Sequence, residues 1–217
     1  MPQRDESTLT IAAADGVSLE GRLAGTATRD LGVVCHPHPQ FGGSMDNNVV
    51  LAACRALQEL GLGSLRFNFR GVGASTGEHG GGAAEVTDVV AACAAARSAG
   101  AGGPPHLIGY SFGSRVALMA LQTDLEVASA VLVAPPVDVM DFAALRLPDV
   151  PGLVVVGDGD SFCSAARLRR WLTDQRGPEP ELVVLSGVDH FYLGHEAELQ
   201  AALQAFLAPR SGGEAPP

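Results

Sequence analysis

One short stretch decides how this chain folds: GYSFG, at residues 109–113. It follows the apolar run 106–108 and opens a helical pattern at 114–121. A serine framed by two glycines between a strand and a helix is typical of a sharp turn that lifts the hydroxyl clear of a sheet. Glycine is needed on both sides because neighbouring backbone approaches closely there. This context predicts that Ser111 is a nucleophile; the alternative is a serine that caps an ordinary helix.

The composition is that of a globular protein. Of the 217 residues, 47% are hydrophobic and only 5% are aromatic, so the core must be built mainly from Val, Leu and Ala. We expect one domain over residues 1–207. The formal net charge of −10 disfavours binding to nucleic acid or to an anionic membrane, and neither partner is expected.

The cysteines and the two ends of the chain suggest no special chemistry. The four cysteines are scattered without a C-x-x-C pair, which predicts neither a disulfide framework nor a zinc site. The polar start lacks the apolar segment of a signal peptide, and no apolar run reaches the ~18–20 residues that span a bilayer. A cytoplasmic location is therefore expected. Residues 208–217 are rich in Pro, Gly and Ser, and we expect them to be disordered.

Short apolar runs alternate with helical patterns along the chain. The predicted strands are 8–13, 17–23, 31–35, 65–69, 106–108, 130–133, 153–156 and 181–185. The predicted helices are 47–60, 83–96, 114–121, 165–172 and 196–207. This alternation predicts an α/β fold with a mostly parallel sheet of about eight strands and helices on both faces. The Asp15-Gly16 pair predicts an antiparallel hairpin at its start.

Two further candidate residues follow strands in the same way as Ser111. Asp160 lies in the loop after the seventh predicted strand, and His190 lies in the loop after the eighth. The active site of an open parallel sheet lies at the carboxyl ends of its strands. The three side chains are therefore expected to meet there, although they are distant in the sequence.

Serine, aspartate and histidine follow one another along the chain in the order typical of an α/β-hydrolase triad. In such a triad Ser111 attacks a carbonyl carbon, and His190 takes the serine proton and later returns it to the leaving group. Asp160 orients the imidazole and stabilises its positive charge. Asp158 and Asp138 remain alternative candidates for the acid.

Backbone N–H groups must also stabilise the oxyanion that forms on the substrate. The N–H of Phe112, directly after the serine, is the expected first donor. The second should come from HPHPQFGG at residues 36–43, where the prolines have no N–H; we favour His38 over Gln40. A metal site formed by His36 and His38 would lack a third ligand at suitable spacing, so neither a metal nor a cofactor is expected.

Two other features invite a functional interpretation. Residues 68–77 are rich in glycine but lack the Gly-Lys-Ser/Thr of a P-loop, so they predict a structural turn. Arg70 is expected to brace that turn against a buried carboxylate. His79, in a glycine-rich loop, is expected to be exposed to solvent.

Together these motifs resemble the small, lidless bacterial α/β-hydrolases. The resemblance spans residues 8 to 207. It rests on HPHP at 36–39, FGGSM at 41–45, FNFRGVG at 67–73, GYSFG at 109–113, GDGD at 157–160 and HF at 190–191. Similar proteins include esterases and relatives of dienelactone hydrolase. The resemblance implies a hydrolase whose nucleophile is a serine, unlike the cysteine of dienelactone hydrolase itself.

The function predicted is hydrolysis of a small-molecule carboxylic ester through an acyl-enzyme. The alternatives are an acyl thioesterase, which would use the same triad, and a non-catalytic binding module on a hydrolase scaffold. The segment 134–152 is too short for a lid domain, so we expect an open site without interfacial activation. Phe41, Phe142 and Phe191 are expected to line a shallow pocket for short to medium acyl chains. The sequence leaves a homo-oligomer open.

Overall fold

The computed structural model describes residues 6–25, 30–100, 103–175 and 177–210. Its strands are β1 Glu6–Ala12, β2 Ser18–Ala24, β3 Leu31–Cys35, β4 Gly63–Phe67, β5 His106–Tyr110, β6 Ser129–Val133, β7 Gly152–Gly157 and β8 Glu181–Leu185. Its α-helices are α1 Asn48–Glu59, α2 Glu85–Ala99, α3 Phe112–Ala120, α4 Ala165–Thr173 and α5 Glu196–Leu207. Two short 3-10 helices are formed by Pro39–Phe41 and Ala208–Arg210.

The eight strands form one sheet in the order β1-β2-β4-β3-β5-β6-β7-β8. The pairs β1–β2 and β2–β4 are antiparallel, and the other pairs are parallel. Every residue of β3, β4, β5 and β6 is buried, as expected for strands that are covered on both faces. The predicted α/β-hydrolase architecture, including the antiparallel hairpin, is therefore confirmed.

Helices cover the two faces of the sheet in pairs. On one face α1 and α5 pack together over Val34, and on the other α2 and α3 pack over its neighbours Val33 and Cys35. Successive strand residues point to opposite faces, so one strand contributes to both cores. Helix α4 covers the far end of the second face, where its Trp171 packs near β7. The sheet is thereby fixed between two layers, with its carboxyl edge free to carry loops.

Several predicted boundaries differ from the structure by one to three residues, and two differences have a visible cause. Strand β4 begins and ends two residues earlier than predicted, because Gly63 already pairs with Leu31 of β3. At the other end of the chain, residues 208–210, predicted to be disordered, form a 3-10 turn. There Arg210 lies 4.0 Å from the centre of the Phe206 ring and bonds Glu181 at 2.9 Å. Residues 211–217, also predicted to be disordered, lie outside the described residues.

The connection between β6 and β7 carries no lid. Residues 134–151 are described throughout and contain only turns and bends. Near Phe142 this connection makes a single turn, closed by the Leu145 N–H on the Phe142 carbonyl at 3.0 Å. Across the described parts of the chain, no helix is both long enough and apolar enough to cross a bilayer.

Candidate active site

Ser111 occupies a sharp turn between β5 and α3. Its φ of 52° lies in the left-handed region, where a residue with a side chain is strained. A Cβ on Gly109 would lie 2.5 Å from the Gly113 carbonyl oxygen, and one on Gly113 would lie 2.5 Å from the Cys35 carbonyl oxygen. Glycine is therefore required at both positions, as the sequence predicts. The Ser111 N–H donates to the Val133 carbonyl at 2.9 Å, which ties the turn to β6.

A chain of hydrogen bonds joins Ser111, His190 and Asp160. The Ser111 Oγ lies 2.9 Å from His190 Nε2, and His190 Nδ1 lies 2.8 Å from Asp160 Oδ2. All three residues are buried. A carboxylate can only accept, so Nδ1 carries the proton and Nε2 is left to accept the serine hydroxyl hydrogen. The imidazole is thus held in the tautomer that a general base requires.

The carboxylate of Asp160 is held in place by its own loop. Its Oδ1 accepts the backbone N–H groups of Phe162 at 2.7 Å and Cys163 at 3.0 Å. These bonds leave Oδ2 for the imidazole and offset the cost of burying a charge. The Asp160 carboxylate therefore both stabilises its own loop and makes the predicted contact with His190.

The other acids near this edge have different partners. Asp158 accepts the Gly187 N–H at 2.7 Å and the Ser186 hydroxyl at 3.1 Å. Asp138 accepts the Ser164 N–H and lies 3.8 Å from Arg167. The structure thus places Asp160, and neither alternative, against His190.

The loop that carries His190 is packed tightly against the end of β7. A Cβ on Gly157 would lie 2.0 Å from the Val188 carbonyl oxygen, and the Gly159 N–H donates to the same oxygen at 3.0 Å. The Tyr110 hydroxyl, on the strand that leads into the serine turn, donates to the His190 carbonyl at 2.9 Å. These contacts fix the imidazole relative to the serine through backbone atoms.

The two candidate oxyanion donors lie beside Ser111. Phe112 is the first residue of α3, so its N–H has no acceptor within that helix. His38 lines the cavity above the serine. The Gln40 N–H, the alternative second donor, donates to His38 Nδ1 at 3.2 Å, so the His38 side chain caps the 3-10 turn. This occupation of the Gln40 N–H favours His38.

A cavity of about 560 Å³ opens at Ser111. Its apolar walls are formed by Phe41, Tyr110, Phe112, Pro136, Val139, Met140, Phe162 and Phe191. Two of the three predicted pocket residues, Phe41 and Phe191, are among them. Phe142 is not, because its ring is buried in the core at 5.7 Å from that of Trp171, whose indole N–H bonds the Phe142 carbonyl. Val139 and Met140 take the place that the prediction gave to Phe142.

The comparisons with known proteins agree with this geometry. The family model of the alpha/beta hydrolase fold matches residues 37–158.

This chain belongs to the alpha/beta hydrolase fold family.

Three bacterial proteins are similar to it over most of their length. It is 32% identical to the uncharacterized protein RP471 of Rickettsia prowazekii, over 87% of this chain and 84% of that one. Among solved structures, XC6422 of Xanthomonas campestris, a serine hydrolase without a lid, is similar with a TM-score of 0.87 and 32% identity, over 99% of this chain and 98% of that one. An alpha-beta serine hydrolase homologue from Coxiella burnetii has a TM-score of 0.85 and 34% identity, over 96% and 100% of the two chains.

The cysteines of this alpha/beta hydrolase fold are not candidates for its nucleophile. Cys35, Cys54, Cys93 and Cys163 are buried and unpaired. Burial raises the pKa of the Cys54, Cys93 and Cys163 thiols to about 12. A thiol with such a pKa holds almost no thiolate at neutral pH, so it is a poor nucleophile.

His36 has a structural role in the hydrolase fold. Its Nε2 accepts the Phe69 N–H at 3.0 Å, and its Nδ1 lies 2.6 Å from the Pro37 carbonyl. Burial lowers the pKa of this imidazole to about 4, so it is neutral at physiological pH. Both nitrogens are engaged, which leaves none for a metal. Within the described ranges, no three His, Cys, Asp or Glu side chains are grouped to hold a metal ion.

Arg70 braces the turn after β4, as predicted. Its guanidinium bonds the buried Asp88 carboxylate at 2.6 and 3.1 Å and contacts Asp15 at 2.8 Å. The hydrogen bonds to Asp88 raise the pKa of Arg70 further above its usual range. The neighbouring Asn68 accepts the Met45 N–H at 2.8 Å and donates to Glu20 at 2.8 Å. The turn is therefore a structural support for the loop that carries His38.

His79 is not exposed, contrary to the expectation from its glycine-rich surroundings. Only 14% of its side chain is accessible, and its Nδ1 lies 2.7 Å from Oε1 of Glu85, whose side chain is completely buried. Gly81 and Gly82 adopt φ angles of 70° and 102°, which turn the loop back onto the start of α2. Glu85 is one of several residues in a predicted helix, and nothing in the sequence marks it as buried. The contact between His79 and Glu85 therefore could not be predicted.

Proposed function

We propose that this protein hydrolyses neutral carboxylic esters with small to medium apolar acyl groups, through an acyl-enzyme on Ser111. The observation that carries the proposal is the continuous chain of hydrogen bonds from Asp160 through His190 to the Ser111 hydroxyl. Its orientation matches what a nucleophile, a general base and an orienting acid require.

In the acylation step, the Ser111 oxygen attacks the ester carbonyl carbon while its proton passes to His190 Nε2. The carbonyl oxygen becomes an oxyanion, which the N–H groups of Phe112 and His38 stabilise. The bond between the carbonyl carbon and the alcohol oxygen then breaks, and the imidazolium returns the proton to that oxygen. The products are the free alcohol and an ester of Ser111, with Asp160 balancing the transient charge on His190.

Deacylation repeats the sequence with water as the nucleophile. His190 removes a proton from the water as its oxygen attacks the acyl carbon, and the same two N–H groups hold the second oxyanion. Collapse breaks the bond to the Ser111 oxygen, and the imidazolium protonates that oxygen. The free acid leaves, and the resting hydrogen bonds are restored.

The lining of the cavity supports a neutral, apolar substrate. Among the residues that the structure describes, no Arg, Asp or Glu side chain lines it, and aromatic rings form much of its wall. An acyl-CoA thioester carries several phosphate charges, for which this cavity offers no cationic partner. The absence of a lid between β6 and β7 supports activity on dissolved esters, without activation at an interface.

The test combines an activity probe with a substrate panel. A fluorophosphonate probe should label the wild-type protein and fail to label Ser111→Ala, while Ser98→Ala, on the exposed side of α2, should label normally. Dissolved 4-nitrophenyl esters of two to eight carbons should be hydrolysed faster than the corresponding acyl-CoA thioesters. Faster cleavage of the thioesters would identify a thioesterase. A wild-type protein that neither labels nor turns over any ester would be a binding module.

A further inference from the structure

The His38 side chain is held by three neighbouring rings. Its ring centre lies 4.8 Å from that of Phe41, 4.8 Å from that of Phe112 and 5.0 Å from that of His79. Its Nδ1 accepts the Gln40 N–H and thereby caps the 3-10 turn in which the loop continues. The orientation of this ring is therefore coupled to the backbone of the loop, including the His38 N–H.

The neighbours of His38 differ in how firmly they are fixed. Phe41 is 86% exposed, so its ring has little packing to hold it. Phe112 is buried and belongs to α3. His79 lies on a loop, and its ring also contacts that of Phe112 at 5.4 Å. His79 thus touches both residues whose N–H groups are the candidate oxyanion donors.

Glu85 fixes His79 in this position. Its carboxylate accepts the Gly80 N–H at 2.8 Å and the Gly82 N–H at 2.7 Å, and Oε1 lies 2.7 Å from His79 Nδ1. A completely buried carboxylate is costly unless donors surround it; here two backbone N–H groups donate to Glu85, and the His79 imidazole lies against it. The loop 79–82 is consequently tied to the start of α2 by two hydrogen bonds, and the close contact between His79 and Glu85 adds to them.

We propose that His79, tethered by Glu85, is a positioning residue of the oxyanion site. Its ring holds the His38 ring in place and so keeps the His38 N–H directed at the oxyanion. Burial lowers the pKa of His38, which keeps Nδ1 free to accept the Gln40 N–H. His79 is not among the residues that line the cavity, so it acts through His38 and not on the substrate. This inference rests on the proposed function, because it assumes that an oxyanion forms at Ser111.

A residue with this role affects the transition state more than the bound substrate. Loss of a whole oxyanion donor typically costs about 10²–10³-fold in kcat, and a donor that is only misplaced should cost less. We therefore expect His79→Ala to lower kcat about tenfold while KM changes less than about twofold. Inhibition by a boronic acid, whose tetrahedral adduct on Ser111 mimics the transition state, should weaken by a similar factor.

The experiment compares His79→Ala with His195→Ala in the full-length protein. His195 is a matched control, because its imidazole also faces a glutamate, Glu198, at 3.3 Å, but on the exposed surface. It should keep wild-type kcat and boronic acid affinity. His79→Asn is the second variant, since it keeps a polar group beside Glu85 but has no ring to contact His38. Its kcat should fall about as much as is expected for His79→Ala. It provides the test if the alanine variant does not fold.

The outcomes separate this inference from the proposed function. A folded His79→Ala or His79→Asn with wild-type kcat and boronic acid affinity would overturn the positioning role alone, provided that the wild type labels and hydrolyses esters. A rise in KM with unchanged kcat would also overturn it, because that pattern indicates substrate contact. A wild-type protein that neither labels nor hydrolyses esters would overturn the proposed function and this inference with it.

Discussion

Two imidazole–carboxylate pairs contact Ser111 or its neighbour Phe112, and they are built from similar parts. Asp160 and Glu85 both have completely buried side chains, and each accepts two backbone N–H groups from an adjacent loop segment. Each also lies close to an imidazole Nδ1: Asp160 is hydrogen-bonded to that of His190 at 2.8 Å, and Glu85 contacts that of His79 at 2.7 Å without hydrogen-bond geometry. In both cases a carboxylate fixes one edge of a ring.

The two pairs differ in what the rest of the ring meets. His190 directs its Nε2 at the Ser111 hydroxyl, whereas the His79 ring contacts the rings of His38 and Phe112. The first arrangement can move a proton, and the second can only hold its neighbours in place. A buried imidazole–carboxylate pair therefore does not by itself identify a base; the group at the opposite edge of the ring decides.

The largest expected effect comes from breaking the proton-transferring pair. His190→Ala should lower kcat by at least about 10⁴-fold, because the serine loses its base. The double variant with Ser111→Ala should be no worse than either single variant, since triad residues act as a unit. Steady-state kinetics on a 4-nitrophenyl ester measures both effects. Additive losses in the double variant would show that the two residues act independently.

A subtler change to the same pair should also have a large effect. In Asp160→Asn the amide oxygen can still accept the Phe162 and Cys163 N–H groups, so the amide nitrogen faces His190. That nitrogen can only donate, which forces His190 Nδ1 to accept and places the proton on Nε2. An imidazole in this tautomer cannot take the serine proton, and kcat should fall about 10³–10⁴-fold. Thermal unfolding should show an intact fold; near-normal activity would contradict the assignment of the acid.

The sequence predicts the first pair and misses the second for a physical reason. Ser111, Asp160 and His190 each follow a strand, and parallel pairing brings the ends of those strands to one edge. Their meeting thus follows from the order of elements. The contact between His79 and Glu85 depends instead on how a glycine-rich loop turns back at two left-handed residues. No periodic pattern encodes that path.

Side-chain direction within short loops was equally hard to predict. Asp158 and Asp160 share one loop, and only the structure shows that Asp158 binds the Gly187 N–H and Asp160 the imidazole. Phe142 lies two residues after the cavity residue Met140, yet its ring turns into the core against Trp171. In both cases two residues lie close together in the sequence, but only one of them faces the active site. The local path of the backbone decides which one does.

A third imidazole, His36, offers a comparison without a carboxylate partner. Its pKa is about 4 in the folded protein against an ordinary value of about 6.5, so between these values the unfolded chain binds more protons. Stability should therefore be full above pH 6.5 and be lost as the pH falls toward 4, by about 3 kcal/mol from this residue.

Urea unfolding at several pH values measures the effect of His36. His36→Gln is the control, since its amide oxygen can still accept the Phe69 N–H but does not titrate. The variant should show a flatter loss of stability between pH 6.5 and 4. If the free energy of unfolding fell equally with pH in both proteins, the pKa of His36 would be the same in the folded and the unfolded state.

The smallest expected effect concerns Phe41, the exposed neighbour of His38. Because its ring is 86% exposed, Phe41→Ala should change the free energy of unfolding by less than about 0.5 kcal/mol. The ring lines the cavity, so its loss should raise KM for a six-carbon acyl ester about threefold to tenfold, with little change for an acetate. Leu193→Ala is the matched control, because Leu193 is 71% exposed and is not among the cavity residues. A fall in kcat at unchanged KM would instead assign Phe41 the same role as His79, and the His38 N–H would then depend on an exposed ring as well as on a buried pair.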